Sequence, residues 1–395
     1  MNIKTKNLVI IIVVSMLLIF LLPMLFLKSI NQVAYDVKVS DEKLDDLPSY
    51  MEDVAPSLTE LYGVDLYNGF KVSDMQVIFL DPQVQKAYIW NNKLMGNEYY
   101  IVEYDTITDE FKAANHFITS INGYNSIVIN ASNKDNILNR IIYYGYRSYD
   151  KSFTIVPTVD NYYTDINENI DERYLRNEMI QKSILYVETK KESYLQEYND
   201  LYNQWIDLVG DTTVNNISKF DYYEGLPQYV VLSAYSYLEN TSIESLFVNN
   251  YKNKILSKKE EYKAIGALQV YILNSMDKTN INLKENANLN DIILDNIAIR
   301  TTEIDEELYD KYMKYYEQLT NRPKHLDIKI NEKDKYNFIG FHQDFYGVYE
   351  ENTVRIDNGV YLLLDVLVIG VYEEQSYDEV ILLVESGVLK YYVLN

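Results

Sequence analysis

Along residues 136–150, NILNRIIYYGYRSYD, the positions Leu138, Ile141, Ile142, Gly145 and Tyr149 recur at steps of three and four. That is the spacing of one buried helix face, so a helix is predicted over 136–150. Tyr143 and Arg147 then project from the same side, with Tyr144 beside them. A second helix is predicted over 224–238, opening near Pro227, a residue tolerated in a first turn but not deeper. Residues 173–208 read as a long charged helix or a helix pair. Residues 262–276 place Ile265, Leu268, Ile272 and Met276 on one side, and Gly266 there permits close helix approach.

Elsewhere the period is two. MQVIFL (75–80), KAYIW (86–90), YYIVEY (99–104) and SIVIN (126–130) are β-rich runs separated by Asp81-Pro82, Asn91-Asn92 and Asn122-Gly123 turns. They predict a small antiparallel sheet. After Arg322-Pro323 strands return at 325–330, 336–341, 360–371, 379–384 and 388–394, with Asn358-Gly359 and Ser386-Gly387 as turns. Residues 41–60 are acidic, with Leu44, Leu47, Tyr50 and Met51 forming a short stripe, and read as a stalk followed by a first helix.

Residues 8–27, LVIIIVVSMLLIFLLPMLFL, form an uncharged stretch long enough to cross a bilayer. Lys4, Lys6 and Lys28 are the only charges up to that point, so the positive-inside rule places the N-terminus in the cytoplasm and the remainder outside. A cleaved signal peptide would have a shorter apolar core and a small-residue cleavage site, which KSINQVA does not provide. An uncleaved anchor is the expectation. The ten-residue run at 360–369, interrupted by Asp365, is not a second one, being far too short; it reads as a buried strand.

Composition narrows the function classes. The 395 residues carry 36 Lys+Arg against 59 Asp+Glu, a formal charge of -23, and the acidic excess lies wholly after Lys28. Such a body repels phosphate backbones, so no nucleic-acid partner is expected. Cysteine is absent, which removes disulfides, thiolate nucleophiles and Cys-ligated zinc.

The helix at 136–150, followed about eighty residues later by YYEGLPQYV (222–230), resembles the bacterial zinc peptidases of the gluzincin type. These place His-Glu-x-x-His on one helix and a third metal ligand, a Glu, on a later one, often within Glu-Gly-Leu/Phe-x-x-Tyr. Glu224, in Glu224-Gly225-Leu226-Pro227-Gln228-Tyr229, matches that third ligand. Tyr143 and Arg147 stand where the two histidines belong, and Tyr144 where the catalytic Glu belongs. The segment DLYNGF (65–70) before the strand at 76–80 extends the resemblance forward. A Tyr-x-x-Gly-Ala pattern is matched loosely, with one extra residue, at 262–267. The resemblance covers most of residues 56–395.

It implies a site that has changed its chemistry. Arg147 has no lone pair for a metal, and the Tyr143 phenol is a rare zinc ligand. Tyr144 in place of Glu removes the general base. No catalytic residue, no metal and no cofactor are therefore expected at Tyr143, Tyr144, Arg147 and Glu224. In place of the zinc crosslink, the positions predict an Arg147–Glu224 ion pair; the alternative is two solvated charges on a cleft wall. Tyr146, Tyr223 and Tyr229 are candidate cleft-lining residues for peptide or glycan, against plain core packing in a chain with 40 tyrosines. An acidic loop, DINENID (165–171), has alternating oxygen ligands. It lacks the glycine and the bidentate Glu of a calcium loop and reads as solvated.

The sequence thus predicts an α+β chain: a cytoplasmic tail (1–7), a transmembrane helix (8–27), a stalk (28–55), a β-rich section (56–130), a helical zincin-like core (131–322) and a β-rich C-terminal section (323–395). The expected function is that of a membrane-anchored, extracytoplasmic pseudo-peptidase, not an enzyme, with a peptide or protein partner. An active surface hydrolase using another constellation, with zinc on His116 and carboxylates, is the alternative. An accessory subunit of a membrane transport or immunity system is a weaker one.

Overall fold

The structure is a computed structural model that describes residues 34–44, 46–108, 111–112, 116–131, 136–150, 170–276, 290, 293, 305–324, 336–341, 345–349, 352–357, 360–370, 374–385 and 388–394. It is a mixed α+β protein. The predicted anchor (8–27), most of the acidic loop (165–169), His325 and His342 lie outside the described residues. Among the described residues no helix is long and apolar enough to cross a membrane.

The first unit is a sheet built from β1 (Ala34–Tyr35), β2 (Val39–Lys43), β3 (Gln76–Asp81), β4 (Lys86–Asn92), β5 (Gly96–Val102), β6 (His116–Ile121) and β7 (Tyr124–Asn130). The strand order is β1-β6-β7-β3-β4-β5-β2. The turn signals hold locally: β3, β4 and β5 form an antiparallel meander, and β6–β7 a hairpin. Asn122 (φ 51) and Gly123 (φ 82) both take the left-handed conformation that a tight two-residue turn needs. The expectation of an all-antiparallel sheet is corrected. β7 lies on the far side of β3 and runs parallel to it, as β1 does to β6, because the chain crosses over between β5 and β6 instead of continuing the meander.

The sheet is covered on both faces, which is why its centre reads as continuous apolar runs. Val77, Phe79, Ile127 and Ile129 point into the core shared with the helices. Their neighbours Ile78, Leu80 and Val128 point to the other face, packed with Val37, Ile107 and Phe111. The stalk is also corrected. Residues 34–43 supply both edge strands, and α1 (Ser49–Glu52) and α2 (Ala55–Leu61) bury Tyr50, Met51, Leu58 and Leu61 in the main core. Their few apolar positions suffice because the strands are short and at the edges.

The helices follow: α3 (Ile137–Tyr149), α4 (Ile170–Thr189), α5 (Glu192–Val209), α6 (Asp211–Leu238), α7 (Ile243–Tyr251), α8 (Lys258–Ser275) and α9 (Glu306–Lys324). The charged stretch at 173–208 is a helix pair, turning at Lys190 (φ 56). The second predicted helix does not begin at residue 224. It starts at Asp211, directly after Gly210 (φ 84), and runs through Pro227 in its interior.

Two glycine contacts fix the helix positions. α6 and α8 cross at Gly225 and Gly266, where a Cβ on Gly225 would overlap the Gly266 Cα and one on Gly266 would overlap the Asp221 carbonyl. Gly145 of α3 lies so close to Met75 and Phe70 that a Cβ would meet the Met75 Cε at 2.7 Å. This seats the helix against the end of the sheet.

The C-terminal strands form a six-stranded antiparallel sheet ordered β10-β11-β12-β13-β8: β8 (Tyr336–Phe341), β10 (Asn352–Asp357), β11 (Val360–Gly370), β12 (Glu374–Glu385) and β13 (Val388–Leu394). β9 (Phe345–Tyr349) pairs with the second half of β11, whose first half pairs with β10. The β9 and β10 strands were not predicted. Leu363, Val366, Val368, Val380 and Tyr391 form this sheet's own core.

Candidate functional site

α3 and α6 are brought side by side above the sheet, and the residues singled out on them meet. Arg147 Nη2 lies 2.8 Å from Glu224 Oε1, with both side chains nearly out of solvent. The solvated-charge alternative is therefore excluded. Tyr143, one turn before Arg147, donates its hydroxyl to Glu224 Oε2. Arg147 Nη2 also donates to the Tyr143 oxygen at 2.9 Å. Both carboxylate oxygens are thus taken, by Arg147 and Tyr143.

A third bond explains the proline. Pro227 has no N–H for the carbonyl of Tyr223, one turn earlier in α6. That carbonyl instead accepts from Arg147 Nη2 at 3.0 Å. The Glu224 carbonyl next to it lies 3.3 Å from the Tyr143 hydroxyl. The guanidinium is stacked between rings, 3.9 Å from the Tyr223 centroid and 4.5 Å from that of Tyr143.

These contacts set the protonation states. Burial pushes the Glu224 carboxyl up, but Arg147, Lys263 and the two hydrogen bonds outweigh it and hold it down at about 2. Burial, with the Glu224 charge adding to it, drives the Tyr143 phenol well above its ordinary value. Tyr144, mainly through burial, is pushed up to about 12. Neither phenol ionises near neutral pH, so neither can act as a base there.

The candidate cleft residues divide. Tyr223 stacks on Arg147 and is a member of the ion-pair site. Tyr229 is half-buried, its hydroxyl accepting from Asn274 Nδ2 at 3.0 Å. Tyr146 is fully buried against Phe70 and Tyr67 and lines no open surface. Its placement as a cleft residue is corrected: it falls on the Gly145 side of α3, which faces the 66–75 segment.

Sequence reasoning missed Lys263, on α8, whose Nζ sits 5.2 Å from the Tyr143 ring centroid. It also missed a second buried charge cluster beyond the glycine crossing. Arg176 of α4 grips Asp221 of α6 with both terminal nitrogens (2.7 and 3.2 Å) and donates Nε to Glu261 of α8. Arg173 Nε lies 3.0 Å from the other Glu261 oxygen. No pattern within one helix signals this cluster, because its charges come together from three helices.

The zinc that a gluzincin resemblance implies does not fit this donor set. Arg147 offers no lone pair, Tyr143 stays protonated, and Glu224 has no oxygen left unengaged. Among the described residues no group of three or more His, Asp or Glu is arranged to hold a metal ion. His116 begins β6, at the register of Ile129. No family model matches the chain, nor does any curated protein or solved structure.

Proposed function

We propose that the chain is a membrane-anchored, extracytoplasmic pseudo-peptidase: a gluzincin-like scaffold in which an internal ion pair has replaced the metal, serving as a binding or partner protein. The observation that carries this reading is the saturation of Glu224. Its two oxygens bind Arg147 and Tyr143, the residues at the positions of the two metal-binding histidines. The trio ties α3 to α6 as a zinc ion would, and supplies neither a Lewis acid nor a base for water. The uncharged stretch at 8–27 supports the anchor, and the acidic remainder supports an extracytoplasmic body without nucleic-acid contacts.

Metal analysis of the purified chain, combined with a peptidase assay with and without chelator, tests the reading. Zinc far below one per chain and no chelator-sensitive cleavage are expected. Near-stoichiometric zinc with chelator-sensitive cleavage would overturn it in favour of an active hydrolase.

A further inference from the structure

Among the described residues, the charges around Arg147 do not balance. Two cations, Arg147 and Lys263, share one carboxylate, Glu224, and both oxygens of that carboxylate are occupied by Arg147 and Tyr143. Lys263 has no carboxylate within ion-pair distance among the described residues; the ring of Tyr143 is its contact. Arg147 Nε is buried without a hydrogen-bond partner. Lys259, four residues before Lys263 on α8, is exposed, and its charge bears on the Lys263 ammonium. The neighbouring acid, Glu260, is turned back to cap its own helix through Ser257. A local excess of positive charge in a chain of net charge -23 is out of keeping with the rest of its surface.

We propose that Arg147 and Lys263 form a receptor for an organic carboxylate, the C-terminus of a bound peptide, beside the rings of Tyr144 and Tyr223. A single carboxylate neutralises the excess charge, and two aromatic faces suit an organic group better than a bare inorganic ion. Lys263 and Tyr144 are both half-buried residues. Burial, with Lys259 and Arg147 adding to it against Glu224 and Glu260, pulls the Lys263 ammonium down to about 8. A bound carboxylate relieves that cost. The choice of a peptide rests on the pseudo-peptidase reading; the charge imbalance does not.

The test is calorimetric titration of the purified full-length chain with N-acetyl-trialanine, its C-terminal amide, acetate and inorganic phosphate. The free-acid peptide is expected to bind at least about tenfold tighter than the amide, and more weakly as salt rises. Lys263→Met is expected to lower the affinity about tenfold or more, and Lys263→Arg to retain it. Equal binding of acid and amide, unchanged affinity in Lys263→Met, or no binding of any of the four probes overturns the proposal. Acetate or phosphate binding as tightly as the peptide overturns the peptide assignment and leaves a site for a small anion. Zinc analysis is independent of all these outcomes, so failure of the receptor and failure of the pseudo-peptidase reading are distinguishable.

Discussion

Arg147 supplies the hydrogen bond that Pro227 cannot. Its Nη2 reaches the Tyr223 carbonyl at 3.0 Å, the acceptor one turn before the proline that an ordinary residue 227 would satisfy within its own helix. The same nitrogen holds Glu224, so the cation repairs α6 and ties it to α3 at once. Arg147→Met should therefore cost about 3–5 kcal/mol, the range for breaking a buried pair. In a Pro227→Ala background the helix can satisfy its own carbonyl, and the cost of Arg147→Met should fall by about 1 kcal/mol. A double-mutant cycle by urea unfolding measures this; strictly additive costs would show that the carbonyl bond contributes nothing.

Glycine is required at the crossing of α6 and α8. A methyl group at Gly266 meets backbone, the carbonyl of Asp221, and cannot be accommodated by a side-chain movement. Gly266→Ala should destabilise by about 3 kcal/mol or more, at the upper end for overpacking. Gly63→Ala, where nothing lies within 4 Å, is the control and should leave the unfolding midpoint nearly unchanged.

Local periodicity carried much of the sequence reading. The α3 helix was legible because apolar spacing fixed its buried face, and the Arg147–Glu224 partnership because the resemblance to zinc peptidases implied that the two positions face one another. The first half of α6 was not. Residues 211–223 mix polar and aromatic positions without a clear stripe, and Pro227 reads as a start when the donor that excuses it comes from another helix. The parallel pairing of β3 with β7 was equally hidden, since turn residues report only on neighbouring strands. Arg176, Asp221 and Glu261 look like solvated charges until three helices bury them together, which no single-helix pattern shows.

Glu224 should give the protein a specific acid dependence. Its folded-state carboxyl is held at about 2 against an ordinary 4.5, so the folded state binds its proton less readily than the unfolded chain. The resulting stability is fully present above pH 4.5 and is lost as pH falls toward 2, amounting to about 3 kcal/mol. Glu224→Gln removes this contribution. The stability gap between wild type and Glu224→Gln should therefore narrow as pH is lowered from about 5 to 3. A gap that stays constant over that interval would show that Glu224 is not held ionised by Arg147.

The second cluster should respond to pH in the opposite direction once its cation is removed. Among the described residues Arg176 alone binds both Asp221 and Glu261, and all three are buried. Arg176→Met leaves two buried carboxylates with Arg173 alone, paired to Glu261. The expected cost at neutral pH is about 3–5 kcal/mol. Burial already holds the Asp221 carboxyl at about 6 despite the guanidinium beside it, so without Arg176 it rises further. A carboxyl raised in the folded state contributes stability at low pH that is lost as pH rises through its folded value. The deficit of Arg176→Met should thus be smaller at pH 5 than at pH 8, measured by urea midpoints at both. Asp221→Asn leaves Arg176 bound to Glu261 and removes the raised carboxyl itself, so its deficit should show no such recovery in acid. A larger deficit for Arg176→Met at pH 5 than at pH 8 would mean that the buried carboxylates are not the source of the cost.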